Sequence, residues 1–418
     1  MKRALVLCGG GSLGSYEVGV WRFLREKNQH FDIVTGTSIG ALNGAIVATG
    51  EFEKAETLWR SVAADKVFNN GMNFYDGMWN DLSKDTVGQF LKIARDYVKH
   101  GGVDITPLIS LMTTAIDPKK VLASPMSFGI VASTFPGFKQ VDVDIKKLKE
   151  DEVMPWLLAS SACYPIFPVR TIKGKKYVDG GYNDNLSIDL ALKMGAEEIV
   201  AVLLHAIPKM PQHPELMDLP FVTTVRPSRD TGSIMNFDPT VEEDNMTLGY
   251  LDARKTFGEA WGRAFTFQID NALEDRFHDF VIRMAHINLL SFPKAQKALT
   301  YELIMPKTNR QIYIRTIETV GDWLNMDYLK EYTIDDFIKE IIANVRDLSK
   351  KPDIQKFVTK HKFGLHIDKG ERRGFLAYLD SVYVNNLKKN KLQKLAQTDP
   401  EIGAIMALWD QLKDQGRL

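Results

Sequence analysis

Two stretches within the first fifty residues, "RALVLCGGGSLGSYEVGVWRFL" and "FDIVTGTSIGALNGAIVATG", follow one plan: an apolar run, a glycine-crowded turn, then a helix. Neither apolar run alternates with polar residues, so each reads as a strand buried on both faces. Val18, Trp21 and Leu24 recur at helical spacing after the first turn, and Ala41, Gly44, Ala45 and Ala48 form a small-residue face after the second. Two strand–turn–helix units in succession predict an α/β fold with parallel strands. Glycine loses more freedom on folding than any other residue, so the run Gly9-Gly10-Gly11 implies close approach to the main chain. A phosphate or the oxyanion of an acyl transfer needs such an approach.

A chain of 418 residues is long enough for two or three domains. Lys plus Arg and Asp plus Glu both number 53, so no global charge draws the protein to nucleic acid. Cys8 and Cys163 are the only cysteines, too few for a disulfide framework, and both read as buried thiols in a reducing compartment. The apolar stretch behind "MKR" is too short for a signal-peptide core, and no run of eighteen apolar residues follows anywhere. These features predict a cytoplasmic protein, with contact at a membrane surface left open.

Further along, "FNNGMNFYDGMWND" is rich in aromatic and Met residues, and Met72, Phe74, Tyr75, Met78 and Trp79 suit either an acyl groove or a satellite core. A helix over "DTVGQFLKIARDYVKHGG" follows, ended by Gly101. "SFGIVASTFPGFKQVDVDI" predicts a hairpin turning at "FPG", and "RTIKGKKYVDGG" a tighter one at Lys173-Gly174. "EEIVAVLLHA" supplies another buried strand. Beyond about Pro208 the rhythm turns helical, with "RQIYIRTIET" as the clearest remaining strand. Thr333 and Asp336 begin a helix whose stripe of Ile334, Phe337, Ile338, Ile341, Ile342, Val345 and Leu348 favours packing onto a core over lying on a membrane. The expected division is 1–208, 209–325 and 326–418.

"GTSIG" fits G-x-S-x-G, in which a serine on a tight strand-to-helix elbow exposes its hydroxyl. The glycine run can aim successive N–H groups at one point, as an oxyanion requires. A phosphate fits less well, because "GGGSLG" lacks both the Lys-Ser/Thr of a P-loop and the spacing of a dinucleotide fingerprint. Nucleotide binding stays open as a rival reading. Asp179 ends an apolar strand before Gly-Gly, a place usually filled by a turn residue. The order Ser38, Asp179, His205 also suits a triad, although a structural role for His205 is preferred. The histidines show no metal-type spacing.

In order, "GGGSLG", "GTSIG", "ASSACYPIFP" and "VDGG" resemble the patatin-like phospholipase family, and "TLGYLDARKTF" is similar to a segment of its bacterial members. The resemblance covers the first half of the chain. It implies a three-layer α/β/α fold with a mainly parallel sheet, joined here to a largely helical C-terminal region. It implies a Ser-Asp dyad with Ser38 as nucleophile and Asp179 as general base, an oxyanion hole of Gly9, Gly10 and Gly11, and no cofactor or metal. The implied substrates are phospholipids or other fatty-acyl esters met at a membrane surface. Leu13 stands where many members carry Arg or Lys, and Ser187 where proline is common. The Leu13 change keeps a second reading in view: a lipid-binding protein of the same fold with weak turnover.

Overall fold

The computed structural model describes residues 1–69, 103–204, 213–287, 308–360 and 367–418. They divide into two compact units, Met1–Phe257 and Gly258–Leu418. The segment 209–325 is therefore shared between units. Met72, Phe74, Tyr75, Met78, Trp79, the helix expected up to Gly101, and His205 lie outside the described residues.

In the first unit the two opening repeats become β1 (Arg3–Leu7), α1 (Gly14–Glu26), β2 (Ile33–Thr37) and α2 (Ile39–Thr49). There follow α3 (Phe52–Ser61), α4 (Thr106–Ala115), α5 (Pro118–Ala123), β3 (Ser127–Phe135), β4 (Gln140–Asp144) and α6 (Glu150–Ser160). Then come β5 (Arg170–Ile172), β6 (Lys175–Asp179), α7 (Ile188–Lys193), β7 (Glu198–Val202), β8 (Val222–Val225) and α8 (Pro239–Thr256). The sheet runs β5-β6-β3-β2-β1-β7-β8, with β4 also on β3. From β3 to β8 every pairing is parallel, whereas β4 and β6 meet β3 antiparallel. Both expected hairpins form. Lys173 and Gly174 take φ of 49° and 74°, the pair of left-handed residues that a two-residue turn needs to follow the strand twist.

Neighbouring residues of β3 reveal the layers. The Phe128 ring lies against Gly44 of α2, while Gly129, facing the other way, leaves room for Leu190 of α7 and for Met194. Helices therefore cover both faces. Close by, α1 and α8 touch backbone to backbone: a Cβ on Gly19 would sit 1.9 Å from the Met246 carbonyl oxygen, and one on Gly249 2.1 Å from that of Tyr16. The contact is locked by the buried Asp252 carboxylate, which accepts from the Tyr16 hydroxyl at 3.0 Å and pairs with Lys255 at 2.8 Å.

The second unit holds β9 (Thr266–Phe267), α9 (Glu274–His286), α10 (Asn309–Leu324), β10 (Glu331–Tyr332), α11 (Ile334–Ser349), α12 (Pro352–Lys360), α13 (Arg372–Val384), α14 (Asn390–Thr398) and α15 (Pro400–Asp414). "RQIYIRTIET" lies in α10 and is not a strand. Its β-branched residues suggested extension, but Tyr313, Ile314, Ile317 and Val320 bury one helical face, and a Thr308/Gln311 capping box starts the helix. The α11 stripe is buried in the core, as its period predicted. No described helix is long and apolar enough to cross a membrane.

Candidate active site

One strand brings the two chemical segments together. Along β3, Val131 is the register partner of Thr37 on β2, and the next residue, Ala132, is the partner of Asp179 on β6. Since β4 occupies the opposite edge across the same residues, β2 and β6 share one edge and meet end to end. Ser38 and Asp179, far apart in sequence, are delivered to one point.

The elbow is built from glycine and strain. Ser38 has φ 55°, a left-handed conformation that costs a non-glycine residue roughly 1–3 kcal/mol and persists only where its surroundings impose it. A Cβ on Gly36 would sit 2.2 Å from the Gly40 carbonyl oxygen, and one on Gly40 2.5 Å from that of Leu7, so both glycines are needed for the turn to nest against β1. Two serines that the sequence reading did not single out hold the elbow. The Ser160 hydroxyl donates to the Val131 carbonyl at 2.6 Å and accepts the Ser38 N–H at 3.1 Å; the Ser161 hydroxyl donates to the Ser38 carbonyl at 3.0 Å. The next residue, Ala162, accepts the Asp179 N–H at 2.9 Å. "ASSAC" thus joins the end of β2 to the end of β6, a role announced only by two adjacent serines at a helix end.

Asp179 is buried, its carboxylate accepts from the Gly181 N–H at 2.8 Å, and it lines the same cleft as Ser38. Burial pushes its pKa up to about 6, partly opposed by the nearby Ser38 hydroxyl and the Gly181 N–H. At neutral pH the group is ionised yet far more basic than an ordinary carboxylate.

The glycine run is not used uniformly. Gly9 does not offer its N–H: it donates to the Asn185 carbonyl at 3.1 Å, and the Asn185 amide donates back to the Gly9 carbonyl at 2.9 Å. The expected third oxyanion donor is instead the loop's anchor. Gly10 and Gly11 line the cleft beside Ser38, and among the described residues nothing accepts their N–H groups. Gly11, at φ 57°, rests on Ile234, whose carbonyl accepts the Ser12 N–H at 2.9 Å. Below the loop the buried Glu17 carboxylate accepts from the Cys8 N–H at 2.7 Å and from the Asn43 amide at 2.8 Å, tying the start of α1 to α2. Burial pushes Glu17 up to about 8. Neither Glu17 nor Asn185 was legible as a support, because each acts across the fold. Leu13 is buried in the core and is not among the residues that line the cleft.

Ser38, Asp179, Gly10 and Gly11 open into a cleft of about 380 Å³ whose remaining wall is largely apolar, including Leu42, Leu108, Ile166, Phe167 and Phe237. Cys163 also lines it, but burial pushes this thiol up to about 12, away from nucleophilic use. Among the described residues no group of three His, Cys, Asp or Glu side chains is arranged to hold a metal ion. A serine on a strained elbow, a basic carboxylate, two unpaired N–H donors and an apolar cleft can together carry out acyl transfer from a water-insoluble ester.

Residues 5–192 match the sequence model of the patatin-like phospholipase family. Lysophospholipase NTE1 of Mycosarcoma maydis is 28% identical over 207 residues, which are 48% of this chain and 10% of that protein. Lysophospholipase nte1 of Aspergillus terreus is 26% identical over 262 residues, 61% of this chain and 15% of that one. The chain therefore matches only 10% to 15% of the length of these relatives. Among solved structures, VipD from Legionella pneumophila superimposes with a TM-score of 0.41 at 13% identity, over 99% of this chain and 91% of that one.

Proposed function

We propose, from the match of residues 5–192 to the patatin-like phospholipase family, that the chain is a serine lipid acyl hydrolase of phospholipid or lysophospholipid esters, working at a membrane surface. Ser38 is the nucleophile, Asp179 its general base, and the Gly10 and Gly11 N–H groups receive the oxyanion. The observation that carries this reading is the placement of Ser38 beside the buried Asp179, brought together by adjacent β3 register positions at the mouth of one apolar cleft.

In this mechanism the Ser38 Oγ attacks the ester carbonyl carbon while its proton passes to Asp179. Negative charge collects on the former carbonyl oxygen, against Gly10 and Gly11, which need not reorganise because they already lack partners. Collapse breaks the bond to the leaving oxygen, and the alcohol departs with the proton held by Asp179. Asp179, ionised again, takes a proton from water as that water attacks the acyl-Ser38 ester. Return of the proton to Ser38 Oγ releases a fatty acid.

The experiment is covalent labelling with a fluorophosphonate probe, paired with hydrolysis of a short-chain p-nitrophenyl ester. Wild-type protein should label and turn over, and Ser38→Ala should do neither. Labelling that persists unchanged in Ser38→Ala would sink the nucleophile assignment. Vesicle binding without labelling or turnover in the wild type would favour the lipid-binding alternative.

A further inference from the structure

We propose that the two adjoining hairpin tips carrying Phe138, Lys139, Lys175 and Lys176 dock the protein on an anionic phospholipid bilayer, with Phe138 inserted and the lysines at the head groups. The proposal rests on the lipid-hydrolase reading above and names the surface through which that cleft meets its substrate.

The tips are neighbours by register, since Phe135 at the end of β3 pairs with Lys176 on β6. Phe138 follows Pro136 and Gly137 in the β3–β4 turn and is 40% exposed, one of few large apolar side chains so placed among the described residues. It is held there by its backbone. Its φ is 46°, a region in which a bulky aromatic residue is an outlier and Gly or Asn is at ease. The Phe138 N–H donates to the Thr134 carbonyl at 2.9 Å, and the Lys139 N–H donates to the Thr134 hydroxyl at 3.0 Å, so the turn is closed. A strained aromatic residue facing water contributes little to a core.

The apolar path from this ring leads to the cleft. Phe138 packs on the Tyr182 ring at 5.1 Å and the Phe135 ring at 5.8 Å, and Phe135 packs on Tyr164 at 4.9 Å. Tyr182 and Tyr164 both line the cleft that holds Ser38, and the Tyr182 hydroxyl donates to the Tyr164 carbonyl. The wall of the cleft thus continues to the surface as an aromatic ladder ending in Phe138. On the same two tips, Lys139, Lys175 and Lys176 are exposed and, among the described residues, form no ion pair; their neighbour Lys173 is bound to Glu152. An exposed aromatic wedge on a sheet end that also carries three unpaired cations fits the boundary between head groups and acyl chains of an anionic membrane.

The test is co-sedimentation of the 418-residue chain carrying Ser38→Ala, which leaves the lipid intact, with vesicles of phosphatidylcholine alone or containing one quarter phosphatidylserine. The phosphatidylserine vesicles should bind more tightly, and added salt should weaken them. Replacing Lys139, Lys175 and Lys176 by alanine should weaken that binding roughly 10²-fold, from about five-fold per lysine, and replacing all three by arginine should restore it. Phe138→Asn, matched to the left-handed φ, should lower binding several-fold without lowering the melting temperature. Undiminished binding of the triple alanine variant overturns the proposal, as does a Phe138→Asn variant that loses stability but binds like its parent. With Ser38 intact, both variants should hydrolyse a soluble short-chain ester within two-fold of wild type while losing activity on phosphatidylserine vesicles. Failure of the unmutated chain on the soluble ester would count against the hydrolase reading, and the vesicle assay still decides the docking surface.

Discussion

At the scale of residues, Asp179 carries opposite consequences for activity and stability. It sits where Ala162 and Ala132 fix its backbone and burial strips most of its hydration, so its folded-state pKa of about 6 lies above the ordinary value of 3.8. A carboxyl group raised in this way binds a proton more readily in the native than in the unfolded chain between those values. Its ionised form therefore costs the native state about 3 kcal/mol at neutral pH, a cost that fades as pH falls from above 6 to below 4. Asp179→Asn removes the charge and keeps an oxygen for the Gly181 N–H. The variant should lose roughly 10²–10⁴-fold in ester hydrolysis, the usual consequence of deleting a general base, while melting several degrees higher at pH 7. If Asp179 is the base proposed above, wild-type hydrolysis should also fall on the acid side with a midpoint near 6, because protonated Asp179 could not take the Ser38 proton. A His205→Ala variant that loses that limb and as much activity would replace the dyad with a triad.

At the scale of elements, what could be read from the chain was whatever repeats locally. The glycine turns, the "FPG" and Lys173-Gly174 hairpins and the α11 stripe each carry their signal within a few residues, and all form where expected. Supports that act across the fold were invisible: Ser160 and Ser161 on the elbow, Asn185 on Gly9, Glu17 under the loop. The strand expected at "RQIYIRTIET" failed for a related reason, because burial on a helical face outweighed the extended preference of its isoleucines and threonine. Gly249 stands between these cases, recognisable in "TLGYLDARKTF" but explained only by its contact with Tyr16. Gly249→Ala would force α1 and α8 apart by placing a methyl group 2.1 Å from a backbone oxygen that no rotamer can move. Its expected cost is about 1–3 kcal/mol, the usual penalty for overpacking, read as a lower melting temperature. Gly370→Ala, which meets nothing within 4 Å, is the control and should leave the transition in place.

At the scale of the whole molecule, the seam between Phe257 and Gly258 had no mark in composition, since "TFGEAWG" is neither a charged nor a Pro- or Ser-rich linker. The α/β rhythm of the sequence fades near 208, yet β8 and α8 lie beyond that point and belong to the first unit. Every residue assigned to the cleft belongs to Met1–Phe257, and the second unit closes a core of its own. At the centre of that core, Phe337 is fully buried and packs edge-on against Phe265 at 4.9 Å, Phe267 at 5.0 Å and Tyr332 at 4.8 Å. These rings gather β9, β10 and α11, while the buried Glu318 of α10 accepts the N–H groups of Arg263, Ala264 and Phe265 at 2.7, 2.8 and 3.0 Å. Gly258–Leu418 expressed alone should therefore unfold in one cooperative transition by circular dichroism and remain unlabelled by fluorophosphonate. Within that fragment Phe337→Ala should cost about 3–5 kcal/mol, the range for emptying a buried aromatic site, and shift the whole transition. A broad, non-cooperative melt that Phe337→Ala leaves unmoved would mean that this core is not self-sufficient.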